Sequence, residues 1–192
     1  MTITRSSLLI RVRDIGDSKA WAEFHSLYSE LIYRYAIARG LQPSDAEDVR
    51  SACYEAAVKQ MPNFEYKRSQ GSFKGWLKTI VNRRVIDLHR QNREVVLSSH
   101  ELASMKDPNL NADELWELEW KKQHLRHCVS RAKLEVSDQV AKAFQMLAED
   151  GFSVPAVCQQ LNMSANQVYK AKSQMLAKVR ALMLSEFSSE DR

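Results

Sequence analysis

The sequence predicts an all-α protein with two small helical domains joined by a flexible linker. Only 5 of its 192 residues are glycine and 4 are proline, too few for the many tight turns of a β-sheet protein. Apolar residues repeat at steps of three and four along several stretches, as they do on the buried side of a helix. Residues 94–112 lose this repeat and contain a proline and two asparagines. They are therefore the predicted linker between domains 1–93 and 113–192.

Three helices are predicted in the first domain. Residues 21–39 carry one apolar stripe that indicates a helix. A second helix begins at a capping box in residues 44–47, Ser-Asp-Ala-Glu, and ends at Pro62. A third helix runs over residues 72–91. Its predicted apolar side consists of Phe73, Trp76, Leu77, Ile80, Val81 and Leu88, and its far side carries Lys74, Lys78, Asn82 and His89.

Four helices are predicted in the second domain, and the last two have helix-turn-helix spacing. They cover residues 113–133, 137–150, 153–161 and 164–186. Pro155 fits the first turn of its helix, Asn162 suits the left-handed position of the turn, and Ser164 can cap the next helix. The predicted apolar seam consists of Val157, Leu161, Met163, Val168, Met175, Leu176 and Val179. The residues predicted to face outward, where such helices contact bases, are Asn166, Gln167, Tyr169, Lys170, Ser173 and Gln174.

Charge is distributed unevenly along the chain, although the net charge is only +4. Residues 67–93 hold eight basic side chains against one acid, and residues 164–184 hold four against none. Between them, residues 101–120 hold six acids against one lysine. Charged residues usually form solvated helix faces, but two separate basic helices also suit contact with the phosphates of DNA. An acidic segment between them would be repelled from the same DNA.

Other classes of protein are not indicated. The three cysteines are widely spaced, which excludes a disulfide framework and suits the cytoplasm. No apolar run has the length of a signal peptide or membrane helix. The sequence lacks the phosphate-loop, nucleophile-elbow and metalloprotease motifs, so no enzyme, catalytic residue or cofactor is predicted. His124, His127 and Cys128 are the one metal-like group, and without a partner segment they predict no metal site.

Two motifs resemble a known family. Residues 44–49 (Ser-Asp-Ala-Glu-Asp-Val) and 71–83 (Gly-Ser-Phe-Lys-Gly-Trp-Leu-Lys-Thr-Ile-Val-Asn-Arg) resemble domain two of extracytoplasmic-function sigma factors, members of the sigma-70 superfamily. The helix-turn-helix is similar to their domain four. The resemblance implies a cytoplasmic bacterial protein that directs core RNA polymerase to promoters, recognises the −10 and −35 elements and melts the DNA. It also implies a monomer when the protein is not bound to polymerase.

The resemblance assigns three sets of site residues. Those for the clamp helices of the polymerase largest subunit are Asp45, Glu47, Asp48, Ser51 and Glu55. Those for the −10 element are Phe64, Tyr66, Lys67, Arg68, Lys74, Lys78, Asn82, Arg83 and His89. Those for the −35 element, on a domain that also sits on the β-subunit flap, are Asn166, Gln167, Tyr169, Lys170, Ser173, Gln174 and Lys178. Stacking on an aromatic residue returns about 1–3 kcal/mol per base, so Phe64 or Tyr66 beside basic residues could hold a base extruded from the duplex.

Several alternatives stay open at this point. Phe64 and Tyr66 could each fill the core instead of contacting DNA. The helix-turn-helix could be a plain helical hairpin, or it could belong to a stand-alone regulator that dimerises on DNA. The family usually has Gln-Glu where this chain has Ser51 and Ala52, and Arg where it has Ala171 and Gln174. Whether an anti-sigma factor is a further partner is not decided by the sequence.

Overall fold

The computed structural model describes residues 5–64, 73–98 and 111–187, and these residues form helices joined by short connections. The predicted all-α fold class is confirmed. A 3₁₀ turn at Met61–Asn63 follows the third helix. The helices are α1 (Arg5–Arg11), α2 (Ser18–Ala38), α3 (Pro43–Gln60), α4 (Phe73–Ser98), α5 (Ala112–Leu134), α6 (Asp138–Ala148), α7 (Val154–Leu161) and α8 (Ala165–Phe187).

The chain forms two compact units, Met1–Gln123 and His124–Arg192, and the division falls within α5. The sequence prediction started the second domain at residue 113. The structure divides the chain later because Trp116 and Trp120, near the start of α5, are buried in the core of the first unit. Because these two large rings are buried there, the first turns of α5 belong to the first unit.

The core of the first unit is built around α2. Phe24, Tyr28 and Phe73 are fully buried, and their ring centroids lie 4.8–6.0 Å apart. Such edge-on and tilted contacts stabilise aromatic clusters beyond simple burial. Leu8 and Val12, in and directly after α1, are also buried in this core. These residues, which precede the first predicted helix, therefore complete the core of the first unit.

Two helix boundaries in the first unit differ from the predictions. The N-cap of α3 is Gln42, which makes no side-chain cap hydrogen bond, and Pro43 occupies the first turn. Proline suits that position because its missing N–H would have no helical partner, so the predicted capping box in residues 44–47 does not form. The second difference is in α4, which continues to Ser98, past the predicted end near residue 91. The predicted cap Ser72 lies outside the described residues.

The helix-turn-helix of the second unit has the predicted local geometry. Asn162 adopts a left-handed conformation with φ of 51° at the end of α7. The backbone N–H of Gln167 donates to Ser164 Oγ at 3.3 Å, and Gln167 Oε1 accepts from the Ser164 N–H at 2.7 Å. This reciprocal pair is a capping box that fixes the start of α8. Leu176, predicted to be in the apolar seam, is 49% exposed because Met175 and Val179 take the buried side of α8.

Candidate nucleic-acid interface

The predicted DNA-contacting side of α4 is covered by the first turns of α5 in this structure. Lys74 Nζ lies 2.7 Å from Glu117 Oε2, and Lys78 Nζ lies 2.9 Å from Asp113 Oδ1. The two lysine side chains are only 16% and 25% exposed. The two lysines are one helical turn apart on α4 and the two acids are one turn apart on α5, so the two ion pairs join the helices in register.

Two tryptophans anchor the first turns of α5 in the core of the first unit, against α2. Trp116 is fully buried, with its ring edge-on to Tyr35 at 5.1 Å between centroids. Trp120 is buried beside Tyr28 at 5.9 Å. A buried aromatic ring removes about 150–250 Å² from water, which stabilises the docked helix by at most about 4–6 kcal/mol per ring. Trp116 and Trp120 lie four residues apart, and this spacing is the signal in the sequence for the contact, although neither tryptophan was predicted to be buried.

Asn82 belongs to a partly buried polar network. Its Oδ1 accepts a hydrogen bond from the Tyr35 hydroxyl at 2.5 Å and another from Arg39 Nη1 at 2.7 Å. Burial raises the pKa of Tyr35, so this hydroxyl stays protonated and able to donate. His89, also predicted at the −10 site, lies with Nε2 3.0 Å from the backbone oxygen of Arg39. The amide oxygen of Asn82 is therefore engaged internally, which leaves its Nδ2 group to donate to an outside acceptor.

The remaining −10 candidates divide into three groups. Phe64 is half-buried, with its ring centroid 5.1 Å from that of Trp76, which favours the core alternative for this residue. Arg83 is exposed on α4. Tyr66, Lys67 and Arg68 lie outside the described residues.

The predicted polymerase-contacting residues of α3 do not all have the same surroundings. Asp48, Ser51 and Glu55 are exposed and lie on one side of the helix, three and four residues apart. Asp45 accepts a hydrogen bond from Asn92 Nδ2 at 2.8 Å, and Glu47 pairs with Arg50. The three exposed residues thus form a polar strip that is open to a partner, whereas the other two residues are partly engaged within the unit.

On α8, Asn166, Lys170 and Ser173 form the centre of the exposed side, again three and four residues apart. Tyr169 beside them is 57% exposed. By contrast, Lys178 Nζ pairs with Glu135 Oε2 at 2.7 Å. This hydrogen bond and charge lower the pKa of the Glu135 carboxyl below its usual value.

The other two predicted −35 residues on α8 differ in how they are held. Gln174 is exposed, and Gln167 has its side-chain oxygen in the capping box. Ala171, where the family usually has Arg, is buried and packs against α7, so this position cannot offer a phosphate contact here.

The cysteines do not suggest chemistry in the described part of the chain. Burial raises the pKa of the Cys53 thiol to about 12, which keeps it protonated and unreactive. Among the described residues, no group of three or more His, Cys, Asp or Glu side chains could hold a metal ion. A search of the same residues finds no helix that combines the length and the hydropathy needed to cross a bilayer.

Comparison with known proteins bears on the first unit. Residues 24–95 match the family model of sigma-70 region 2. The matched segment contains most of α2, all of α3 and α4 up to residue 95, and so it includes the exposed strip of α3 and the basic side of α4. No curated protein matches the chain. The match covers 72 of the 192 residues, so it relates this segment of the first unit to sigma-70 region 2.

Proposed function

We propose that this protein is a bacterial RNA polymerase sigma factor of the extracytoplasmic-function type. It acts in the cytoplasm, recruits core polymerase to promoters by recognising the −10 and −35 elements, and opens the DNA. It is not an enzyme, and it is a monomer when not bound to polymerase. The single observation that carries the proposal is the match of residues 24–95 to sigma-70 region 2, on a segment that bears both a polar α3 strip and a basic α4 side.

The proposed −10 contact uses the α4 side that carries Lys74, Lys78 and Asn82. Lysine ammonium groups bind phosphate oxygens as point charges, so the two lysines would position a melted strand. Asn82 would donate from Nδ2 to an acceptor on a base edge, because its oxygen is held by Tyr35 and Arg39. Opening DNA costs about 1.4 kcal/mol per stacked step, so captured bases must return an energy of this order.

The proposed polymerase contact is the strip of Asp48, Ser51 and Glu55 on α3, which would dock on the clamp helices of the largest subunit. All three side chains are exposed, and Ser51 stands where the family usually has a longer polar residue. A serine cannot reach as far as glutamine, so we expect this chain to rely more on the two flanking carboxylates.

The proposed −35 contact is the exposed side of α8. Asn166 and Lys170 can read base edges in the major groove, with Tyr169 on the flank. The second unit would also sit on the β-subunit flap. The pairing of Lys178 with Glu135 makes this lysine a weaker phosphate contact than Lys170.

Reconstituted transcription tests the proposal. The full chain is mixed with core RNA polymerase and genomic DNA fragments from the source bacterium, and transcript start sites are mapped. We expect binding to the core and initiation at a defined set of sites, with no specific initiation by the core alone. A protein that does not bind core polymerase would refute the proposal. The triple variant D48A/S51A/E55A should weaken binding to core polymerase. Lys59→Ala, at an exposed position of the same helix, is the matched control and should leave this binding unchanged.

A stand-alone regulator is the second candidate, because the capped helix-turn-helix with left-handed Asn162 is also found in such proteins. A regulator would bind duplex DNA alone, as a dimer that spans two half-sites about 34–36 Å apart. Sedimentation with and without duplex DNA therefore separates the two candidates. A monomer that needs polymerase for specific binding would favour the sigma factor.

A further inference from the structure

The first two turns of α5 place acidic groups on the basic side of α4. We call residues 112–120 the acidic cover. Its Asp113 and Glu117 carboxylates lie 2.9 and 2.7 Å from Lys78 and Lys74. A carboxylate oxygen at this distance from an ammonium group occupies the place that a phosphate oxygen would take. The backbone oxygen of Ala112 lies 3.3 Å from the Tyr35 hydroxyl, next to Asn82. The cover therefore pairs with both lysines and contacts the Tyr35 hydroxyl that binds Asn82.

We propose that the acidic cover is an internal competitor of the −10 strand. In the chain without DNA it occupies the Lys74–Lys78–Asn82 side of α4, and binding of a melted strand requires its release. This inference rests on the proposed function, since it assumes that this side of α4 binds DNA. It adds a regulatory element that the match over residues 24–95 does not include, because α5 lies beyond the matched segment.

The contacts of the cover explain why it is closed in the chain without DNA. Trp116 and Trp120 anchor it in the first core, while the two ion pairs fix it over the lysines. A ligand that binds only the released state has its apparent affinity reduced by the fraction of molecules in that state. We therefore expect weak binding of single strands by the isolated chain. Core polymerase must favour the released state for promoter opening to occur.

A matched pair of single substitutions tests the inference. Glu117→Gln removes the carboxylate that pairs with Lys74, and Glu114→Gln removes the same charge from an exposed position of the same helix turn. Partly exposed ion pairs change an equilibrium by about two- to fivefold. Affinity for a labelled single-stranded oligonucleotide is measured by fluorescence anisotropy with the full chain. We expect Glu117→Gln to tighten binding two- to fivefold over Glu114→Gln. Asp113→Asn should behave like Glu117→Gln.

Hydrogen exchange provides the second readout. If the strand displaces the cover, the backbone amides of residues 113–120 should exchange faster in the DNA complex than in the chain alone. Thermal unfolding of each variant checks that the first unit is still folded. Together these measurements separate release of the cover from a general loss of structure.

The possible failures are distinguishable. If both glutamine variants bind alike, or residues 113–120 stay protected while DNA is bound, the inference is wrong although the proposed function stands. In that case the role as a sigma factor stands, but Lys74 and Lys78 hold α5 and the −10 contact is made by other residues. If neither the chain nor its polymerase complex binds a melted strand, the proposed function fails and the inference fails with it.

Discussion

Trp116→Ala should destabilise the first unit by about 3 kcal/mol. The ring is fully buried, and removing about 150–250 Å² of buried aromatic surface costs about 4–6 kcal/mol. The indole Nε1 has no hydrogen-bond partner among the described residues, and such a buried donor costs about 1–3 kcal/mol in the folded state. The alanine variant loses the first contribution and is relieved of the second, which leaves a net loss near 3 kcal/mol.

Urea unfolding measures this loss, with hydrogen exchange used to follow each unit separately. For an m-value of about 1–3 kcal/mol per molar urea, the midpoint of the first unit should fall by about 1–3 M. The midpoint of the second unit, followed through α8 amides, should not change. Trp116→Phe should cost much less than Trp116→Ala, because it keeps most of the apolar surface and removes the unpaired N–H.

Leu118→Ala is the matched control, since Leu118 lies on the same helix and is 48% exposed. Exposed substitutions of this kind change stability by about 0.5 kcal/mol or less. Equal effects of Trp116→Ala and Leu118→Ala on the first unit would refute the reasoning. That result would mean that the first turns of α5 are not part of the first unit.

Three further predictions concern the proposed sites and the second unit. Asn82→Asp keeps an oxygen for Tyr35 and Arg39 but removes the N–H donor. Permanganate footprints of promoter opening should therefore be lost, while binding to core polymerase in gel filtration should persist. Loss of both would indicate misfolding. Tyr169→Ala should change preference among −35 sequences by about 1–3 kcal/mol in competition binding, and an equal loss on every sequence would argue against base reading. Lys178 lowers the pKa of Glu135, so the contribution of this carboxylate to stability is present above pH 4.5 and is lost as the pH falls through the folded-state pKa. In Glu135→Gln the free energy of unfolding should therefore depend less on pH in this range. An unchanged pH dependence would contradict this.

The helices and the turn were predictable because their determinants are local in the sequence. The left-handed position of Asn162 and the cap by Ser164 follow from the conformational preferences of Asn and Ser. The predicted start of α3 was wrong for an equally local reason, since Pro43 in the first turn makes Gln42 the N-cap instead of Ser44. Local rules compete at such points, and only the structure shows which one decides.

The sequence predicted which residues of α4 form the candidate site, but not how exposed their side chains are. Periodicity correctly put Lys74, Lys78 and Asn82 on the polar side of α4, since that pattern depends only on helix geometry. It did not reveal that this side is covered, because the covering residues lie more than thirty positions later and the contact is a tertiary one. The buried partners of Asn82 come from α2, which is equally distant in the sequence.

The charge pattern of the chain has a different meaning once the structure is known. The acids of residues 101–120 were expected to be repelled from DNA. That expectation did not consider that they could pair with the basic side chains of α4. Yet the same electrostatics that repels Asp113 and Glu117 from phosphate attracts them to Lys78 and Lys74, and the attraction acts within one chain. An acidic helix tethered beside a basic one is always present at high effective concentration, so a strand at the proposed −10 site would have to compete with it. Weak binding of DNA by the chain alone is then the outcome that our proposal predicts, and full binding would depend on a partner that holds α5 elsewhere.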